Sequence, residues 1–259
     1  MSNTGEFLIK PVSAALRKEW EEFIYHNFGI TPGDDIFNKF CGFSKELADW
    51  NSRINLVSAG SIEDIFFRHF ADSLSSNLLL SRYINKIHPG AHLHAVDIGS
   101  GAGFPGIPLK IANPELEIKL VESIKKKCGF MNHLIKYLGL SGIHVLNERA
   151  EVLARAKEHR SQYDIALIRA LSSLSTCLEL ALPMLKTGGW VLLYKTEQST
   201  KDLVSAENAL SLLNGRLVDN VCYRLPGEER IFTILVYEKL SETPETYPRR
   251  AGIPQKRPL

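Results

Sequence analysis

Asp97 stands near the end of a largely apolar run at 93–98, and Gly99, Gly101, Gly103 and Gly106 follow directly after it. Glycines tolerate positive φ and let a ligand approach bare backbone. A helix starting near residue 105 adds unpaired N–H groups and the positive end of its dipole. Glu122 follows the next strand-like run, 117–121, and Ser123 comes after it as a helix cap. Arg169 ends a third run, 164–168, and Lys195 sits at the tip of a fourth, 190–194. This is the chemistry of a site for a nucleotide-like ligand, with a carboxylate for a ribose and cations for a second partner.

Two loop templates fit. Gly101-x-Gly103-x-x-Gly106 with Glu122 downstream satisfies the dinucleotide fingerprint. Asp97-x-Gly99-x-Gly101-x-Gly103 satisfies the loop of S-adenosylmethionine (SAM) methyltransferases. Asp97 separates them: a carboxylate there repels a pyrophosphate but suits the ammonium of a methionine moiety. An ordinary strand-to-helix turn with a capping Asp is the plain alternative, although three glycines exceed what one turn needs.

The elements that must position these residues read as follows. From residue 93 onward strands and helices alternate, which argues for an α/β fold with a parallel sheet and helices on both faces. Strands are expected at 93–98, 117–121, 143–146, 164–168 and 190–194, and helices at 105–112, after Ser123, at 173–185 and at 200–213. Runs at 217–224 and 231–238 have a connector too short for a parallel pair, so they form an antiparallel hairpin. A parallel sheet closed by a hairpin favours the SAM reading over the dinucleotide one.

Ahead of this domain (61–240) lies a helical region, 1–60. Leu16, Trp20, Phe23, Ile24 and Phe28 recur at helical spacing and Gly29 ends the run. Thr31-Pro32 reads as a cap and first position for a second helix striped by Ile36, Phe37, Phe40, Phe43, Leu47 and Trp50. Gly42 within it points to an irregular middle. Ser61 opens a third helix, on which Arg68 and Asp72, and His69 and Ser73, are spaced i, i+4. A surface ion pair and a capping hydroxyl are the plain reading of these four, and a place against the cofactor loop or an RNA is the functional one; the pattern leaves both open.

The tail, 241–259, carries Arg249, Arg250, Lys256 and Arg257 with prolines to keep it extended, and suits phosphate contact. A solvated terminus is its alternative.

Net charge is +2, so any basic surface is local. Four scattered cysteines give neither a zinc site nor a disulfide framework. No apolar run approaches the ~20 residues of a membrane span, and 1–10 lacks a secretory signal, so a cytoplasmic protein is expected. Cys177, among leucines on the helix after strand four, reads as core.

The chain resembles the bacterial 16S ribosomal RNA guanine-N7 methyltransferase family once called glucose-inhibited division protein B. The matching pieces are 55–58, Arg68-His69 with Asp72-Ser73, and 97–108 with its Phe104-Pro105-Gly106-Ile107-Pro108 extension. They continue with Glu122-Ser123 and the following lysines, Arg149-Ala150-Glu151, 161–170, and Tyr247-Pro248-Arg249-Arg250. The likeness implies a class I SAM-dependent methyltransferase with a seven-stranded sheet, acting on N7 of a guanosine in the decoding-centre loop of 16S rRNA or the small ribosomal subunit, as a monomer and without metal. It implies that Gly99 and Phe104 line the methionine and ribose, Glu122 and Ser123 the ribose and adenine, and Ala150 and Glu151 the adenine edge. Arg169 would lie near cofactor and target together, with a structural pair to Asp97 or Glu151 as its alternative. Arg149 and Lys195 would face RNA. A small-molecule SAM enzyme and a non-catalytic nucleotide-binding protein are the alternative functions; the first has no use for the basic tail.

Overall fold

The computed structural model describes residues 12–58, 60–87, 92–196 and 203–259. The expectations for 1–10 and for the start of the helix at 200–213 lie outside them. The helical elements are α1 (Ala14–Phe28), α2 (Asp34–Asn51), α3 (Ile62–Asp64), a π-helix (Ile65–Ala71), α4 (Asp72–Leu74), α5 (Asn77–Ile87), α6 (Gly106–Ala112), α7 (Lys125–Tyr137), α8 (Ala150–Leu153), α9 (Leu174–Ala181), a 3-10 turn (Leu182–Met184), α10 (Leu203–Leu213) and α11 (Ile253–Lys256). The strands are β1 (His94–Ile98), β2 (Glu117–Val121), β3 (Ile143–Leu146), β4 (Tyr163–Arg169), β5 (Leu185–Thr196), β6 (Gly215–Tyr223) and β7 (Phe232–Lys239).

These seven strands form one sheet in the order β3-β2-β1-β4-β5-β7-β6. β1 to β5 are parallel, and β7 runs antiparallel to both β5 and β6. The apolar runs arise because both faces are covered. Ile165 and Leu167 of β4 face one apolar cluster, Ala166 and Ile168 the other. The first cluster also takes in Trp20, Phe40 and Phe66, so α1, α2 and the π-helix share a core with the sheet. Trp20 meets Phe40 and Phe66 edge-on at 4.9 and 5.3 Å between ring centroids. Cys177 is buried in the second cluster. Among the described residues, no helix is long and apolar enough to cross a membrane.

Several local expectations are corrected. Gly33, not Thr31, caps α2, whose first turn carries Asp34 and Asp35 against the positive end of its dipole. That helix is unbroken at Gly42, where an added Cβ would stand 3.1 Å from Leu138 and 3.2 Å from Tyr137; the glycine lets α2 and α7 approach. Ser123 caps nothing. Ile124 precedes α7, and its N–H donates to Glu122 Oε1 at 2.8 Å.

The third helix opens at Ser61 as expected, its hydroxyl accepting from Asp64 N–H at 3.1 Å, but continues as the π-helix. Backbone carbonyls on this wider turn accept bonds from distant side chains: Phe66 from Trp20 Nε1 at 3.0 Å, Arg68 from Arg169 Nη2 at 2.8 Å. Arg68 and Asp72 do not pair. Arg68 Nε lies 2.6 Å from Glu228, and Asp72 is buried. Ser73 Oγ donates to the His69 carbonyl at 2.6 Å, as a capping hydroxyl would.

The tail is neither extended nor free. Arg155 and Arg160 donate to the carbonyls of Thr243, Thr246, Tyr247 and Pro248, and the segment ends in α11.

Candidate active site

The site lies at the carboxyl ends of β1, β2 and β4, where ligands bind in open α/β sheets. After β1 the chain enters the glycine loop. Gly99 has φ +75°, and a Cβ there would stand 2.7 Å from Leu171. Gly106 sits where a Cβ would come 2.8 Å from Asp97 Oδ2, so only glycine fits this approach of helix to strand.

Asp97 lies beneath the loop, fully buried, and lines neither cavity described below. Its Oδ2 accepts the Gly106 N–H at 2.9 Å and its Oδ1 has no partner. Burial pushes its carboxyl up to about 7. Its observed work is to hold the turn into α6; it does not reach the cavity where a methionine ammonium was expected to meet it.

Glu122 bridges the loop to α7: Oε2 accepts from Gly101 N–H at 3.1 Å, Oε1 from Ile124 N–H. It forms, with Gly99, Gly101, Ser123 and the Arg149-Ala150-Glu151 corner, the wall of a cavity of about 400 Å³. That volume suits a small-molecule ligand. Arg149 Nη2 lies 3.1 Å from Glu151 Oε1, and Gly252 N–H donates to the same oxygen at 2.7 Å. Burial would raise the Glu151 carboxyl, but these donors outweigh it and hold the group below the usual carboxylate range.

Beyond β4, Ala170 turns with φ +54°, a strained value for a non-glycine residue. Ala170, Leu171 and Ser172 line both this cavity and a second one of about 410 Å³. Arg169, Lys195, Tyr223 and Phe232 form the other walls of the second cavity. Arg169 does not pair with Asp97 or Glu151, as its structural alternative held. Its Nε lies 2.8 Å from Asp72 Oδ2, while Tyr223 O–H donates to Asp72 Oδ1 at 2.5 Å. Lys195 Nζ donates to the Ser172 carbonyl at 2.7 Å.

Phe104 lines neither cavity. Its ring stacks on Phe43 at 5.1 Å and meets His69 at 5.2 Å, with the Arg169 guanidinium 5.7 Å over its face. Burial first, then the nearby Arg169 charge, pushes the His69 imidazole down to about 4.

Arg249, expected to meet RNA, is paired within the protein. Its guanidinium and backbone N–H bond Glu179, whose side chain is wholly buried, at 2.6 to 2.8 Å. Arg250 lies exposed. Sequence reasoning missed Asp72 as the partner of Arg169, Tyr223 as the donor to the other Asp72 oxygen, the 170–172 hinge of the two cavities, and Pro254 and Gln255 on the first cavity's wall. The turn after β4 had a signal, since strand ends build such sites; the tail residues had none.

Residues 36–229 match the family described as GidB: rRNA small subunit methyltransferase G. The chain belongs to this family. A ribosomal RNA small subunit methyltransferase G of Streptococcus pneumoniae (serotype 19F, strain G54) is 39% identical over 226 residues, covering 87% of this chain and 92% of that one. Its counterpart from Roseiflexus castenholzii is 40% identical over 233 residues, covering 90% and 96%. Among solved structures, a mutant of MtNAS shares the fold at a TM-score of 0.51 and 15% identity, over 88% of this chain and 78% of that one. The protein is thus an rRNA methyltransferase with SAM as its methyl donor. That settles the choice between the two loop templates.

The first cavity fits the donor on its own terms. It offers a carboxylate bound to loop amides, open backbone at Gly101, and apolar walls from Ile98, Val121 and Leu180.

Proposed function

We propose that the protein methylates N7 of a guanosine in the decoding-centre loop of 16S rRNA, with SAM in the first cavity and the target base in the second. The observation that carries this reading is the junction at 170–172: two cavities share one short wall, and the side chains on the target side are cationic and aromatic.

Bound SAM supplies an electrophilic methyl group on a sulfonium. Guanine N7 carries a lone pair and no proton, so its attack needs no general base. The site accords with that. Asp72 is the one acid lining the second cavity among the described residues, and both its oxygens are engaged by Arg169 and Tyr223. An exocyclic amine would need a group to accept its proton. What this chain's residues must supply is position, in a desolvated site. Asp72 and the Arg68 carbonyl hold the Arg169 guanidinium in one plane, from which it can donate to guanine O6 or a phosphate and leave N7 unpaired.

On the donor side, Glu122 and Ser123 serve the ribose and adenine, Ala150 and Glu151 the adenine edge, and Gly99 the methionine. Phe104 acts behind the loop, on Arg169. Arg149, Lys195 and Arg250 meet the RNA backbone, whose binding then weakens with salt. The enzyme works as a monomer in the cytoplasm on the small-subunit RNA.

The test is to map 7-methylguanosine in ribosomal RNA from cells with and without the gene, then to restore it with purified protein on naked 16S rRNA and on isolated small subunits. Loss and recovery of one 7-methylguanosine in the decoding region is expected. An unchanged 7-methylguanosine map, or methylation at an exocyclic amine, refutes the reading.

A further inference from the structure

The tail is held more firmly than a basic terminus that only touches RNA requires. Arg155 and Arg160 bind its backbone carbonyls, and Glu179 receives three N–H bonds from Arg249. Thr176 Oγ1 donates to the Pro254 carbonyl at 2.9 Å, in a buried position. The first anchors fix 243–249, and two bonds hold the four residues that follow at 252–255. Gly252 N–H bonds Glu151 Oε1, while Pro254 and Gln255 line the first cavity.

We propose that residues 252–255 are a wall of the SAM site: Gly252 is a positioning residue for Glu151, and Gln255 offers its side-chain amide to the adenosyl end of the cofactor. This rests on the assignment of SAM to the first cavity. Two features support it. Glu151 is buried and takes its donors from both sides of the cavity, Arg149 from its own corner and Gly252 from the tail. Gln255 is exposed at the mouth of the cavity, its amide makes no hydrogen bond to the protein among the described residues, and its neighbour Pro254 is buried and fixed. An amide carries both a donor and an acceptor, which suits the edge of an adenine. Tail docking and cofactor binding are then linked, and linkage is reciprocal: whatever affinity the docked tail adds, the cofactor returns as protection of the tail.

Calorimetry with S-adenosylhomocysteine tests this without turnover. The proteins compared are the full chain, a chain lacking 252–259, Gln255→Ala, and Glu122→Gln as a control for the cavity itself. The truncated chain should bind at least tenfold more weakly and Gln255→Ala several-fold more weakly. Saturating S-adenosylhomocysteine should slow tryptic cleavage after Arg250 in the full chain by a similar factor. Affinity within twofold of the full chain for a cooperatively melting truncated protein, with no slowing of cleavage, overturns the proposal. Should the truncated chain fail to fold, Gln255→Ala and the cleavage rate decide by the same criteria. If Glu122→Gln also leaves affinity unchanged, the cavity assignment fails; if it weakens binding while the tail variants do not, only the tail proposal fails.

Discussion

Arg249→Ala removes the partner of a carboxylate that has no access to water. The Glu179 side chain is fully buried, whereas Arg249 keeps about a quarter of its side chain exposed, at 26%. Stranding one member of a buried pair costs about 3–5 kcal/mol, and the partial exposure of the arginine places this case near 3. In a chain of this size each kcal/mol moves the melting temperature by about 2–4 °C, so a fall of about 6–12 °C is expected. The double variant Arg249→Met/Glu179→Gln separates charge from packing. Glutamine keeps an oxygen for the Arg249 backbone N–H and drops the stranded charge, so about half of the loss should return. Urea titration with far-ultraviolet circular dichroism reads both values. If Arg249→Ala lies within 1 kcal/mol of wild type, or the double variant is no better than the single one, the pair does not anchor the tail and the reasoning fails.

Asp97 has its carboxyl raised to about 7, against an unfolded value near 4. Between those values the unfolded chain releases a proton that the folded chain keeps, so stability should fall as pH rises from about 4 to about 7, by on the order of 3–4 kcal/mol. Asp97→Asn should flatten that dependence in denaturant titrations across pH; an unchanged slope counts against a protonated Asp97. Arg169→Ala should cut turnover on small-subunit RNA at least tenfold, or about 1.4 kcal/mol, with little change in S-adenosylhomocysteine affinity. Lysine should not restore it, since one ammonium cannot serve both Asp72 and the Arg68 carbonyl in a fixed plane; full activity in either variant removes Arg169 from the site. Gly106→Ala should destabilise the protein by about 1–3 kcal/mol through overpacking against Asp97 and Ile118, and a wild-type melting curve would show that α6 can shift.

The parts of the fold legible in the sequence are those dictated by local pattern. β2 and β3 have the expected bounds, because each is a short run of β-branched and apolar residues with a polar one interleaved, set off on both sides by residues that favour turns and caps. The glycine loop and Glu122 were legible for a related reason: backbone geometry there leaves few residue types to choose from. Partner choice over long separations was not. Arg169 with Asp72 spans 97 positions, and nothing local distinguishes Asp72 from a surface acid beside Arg68. The tail misleads in the same way, since clustered arginines read as solvated until Glu179, hidden among the apolar residues of α9, is seen to receive one of them. Phe104 was expected at the methionine and ribose, yet its ring lies against Phe43 and Arg169 and lines neither cavity.

The π-helix at 65–71 makes the number of residues there matter more than their identity. Trp20 from α1 grips the Phe66 carbonyl, and Arg169 from the sheet grips that of Arg68. Each residue added to or removed from a helix turns everything beyond it by about 100°. Deleting one residue between Phe66 and Asp72, with the turn otherwise kept, would rotate Asp72 by about that angle relative to the Phe66 carbonyl. It would swing the Asp72 carboxylate off Arg169 and Tyr223 while leaving the apolar composition intact. A scan of single-residue deletions and conservative substitutions across 65–71 should therefore find the deletions inactive and many of the substitutions tolerated.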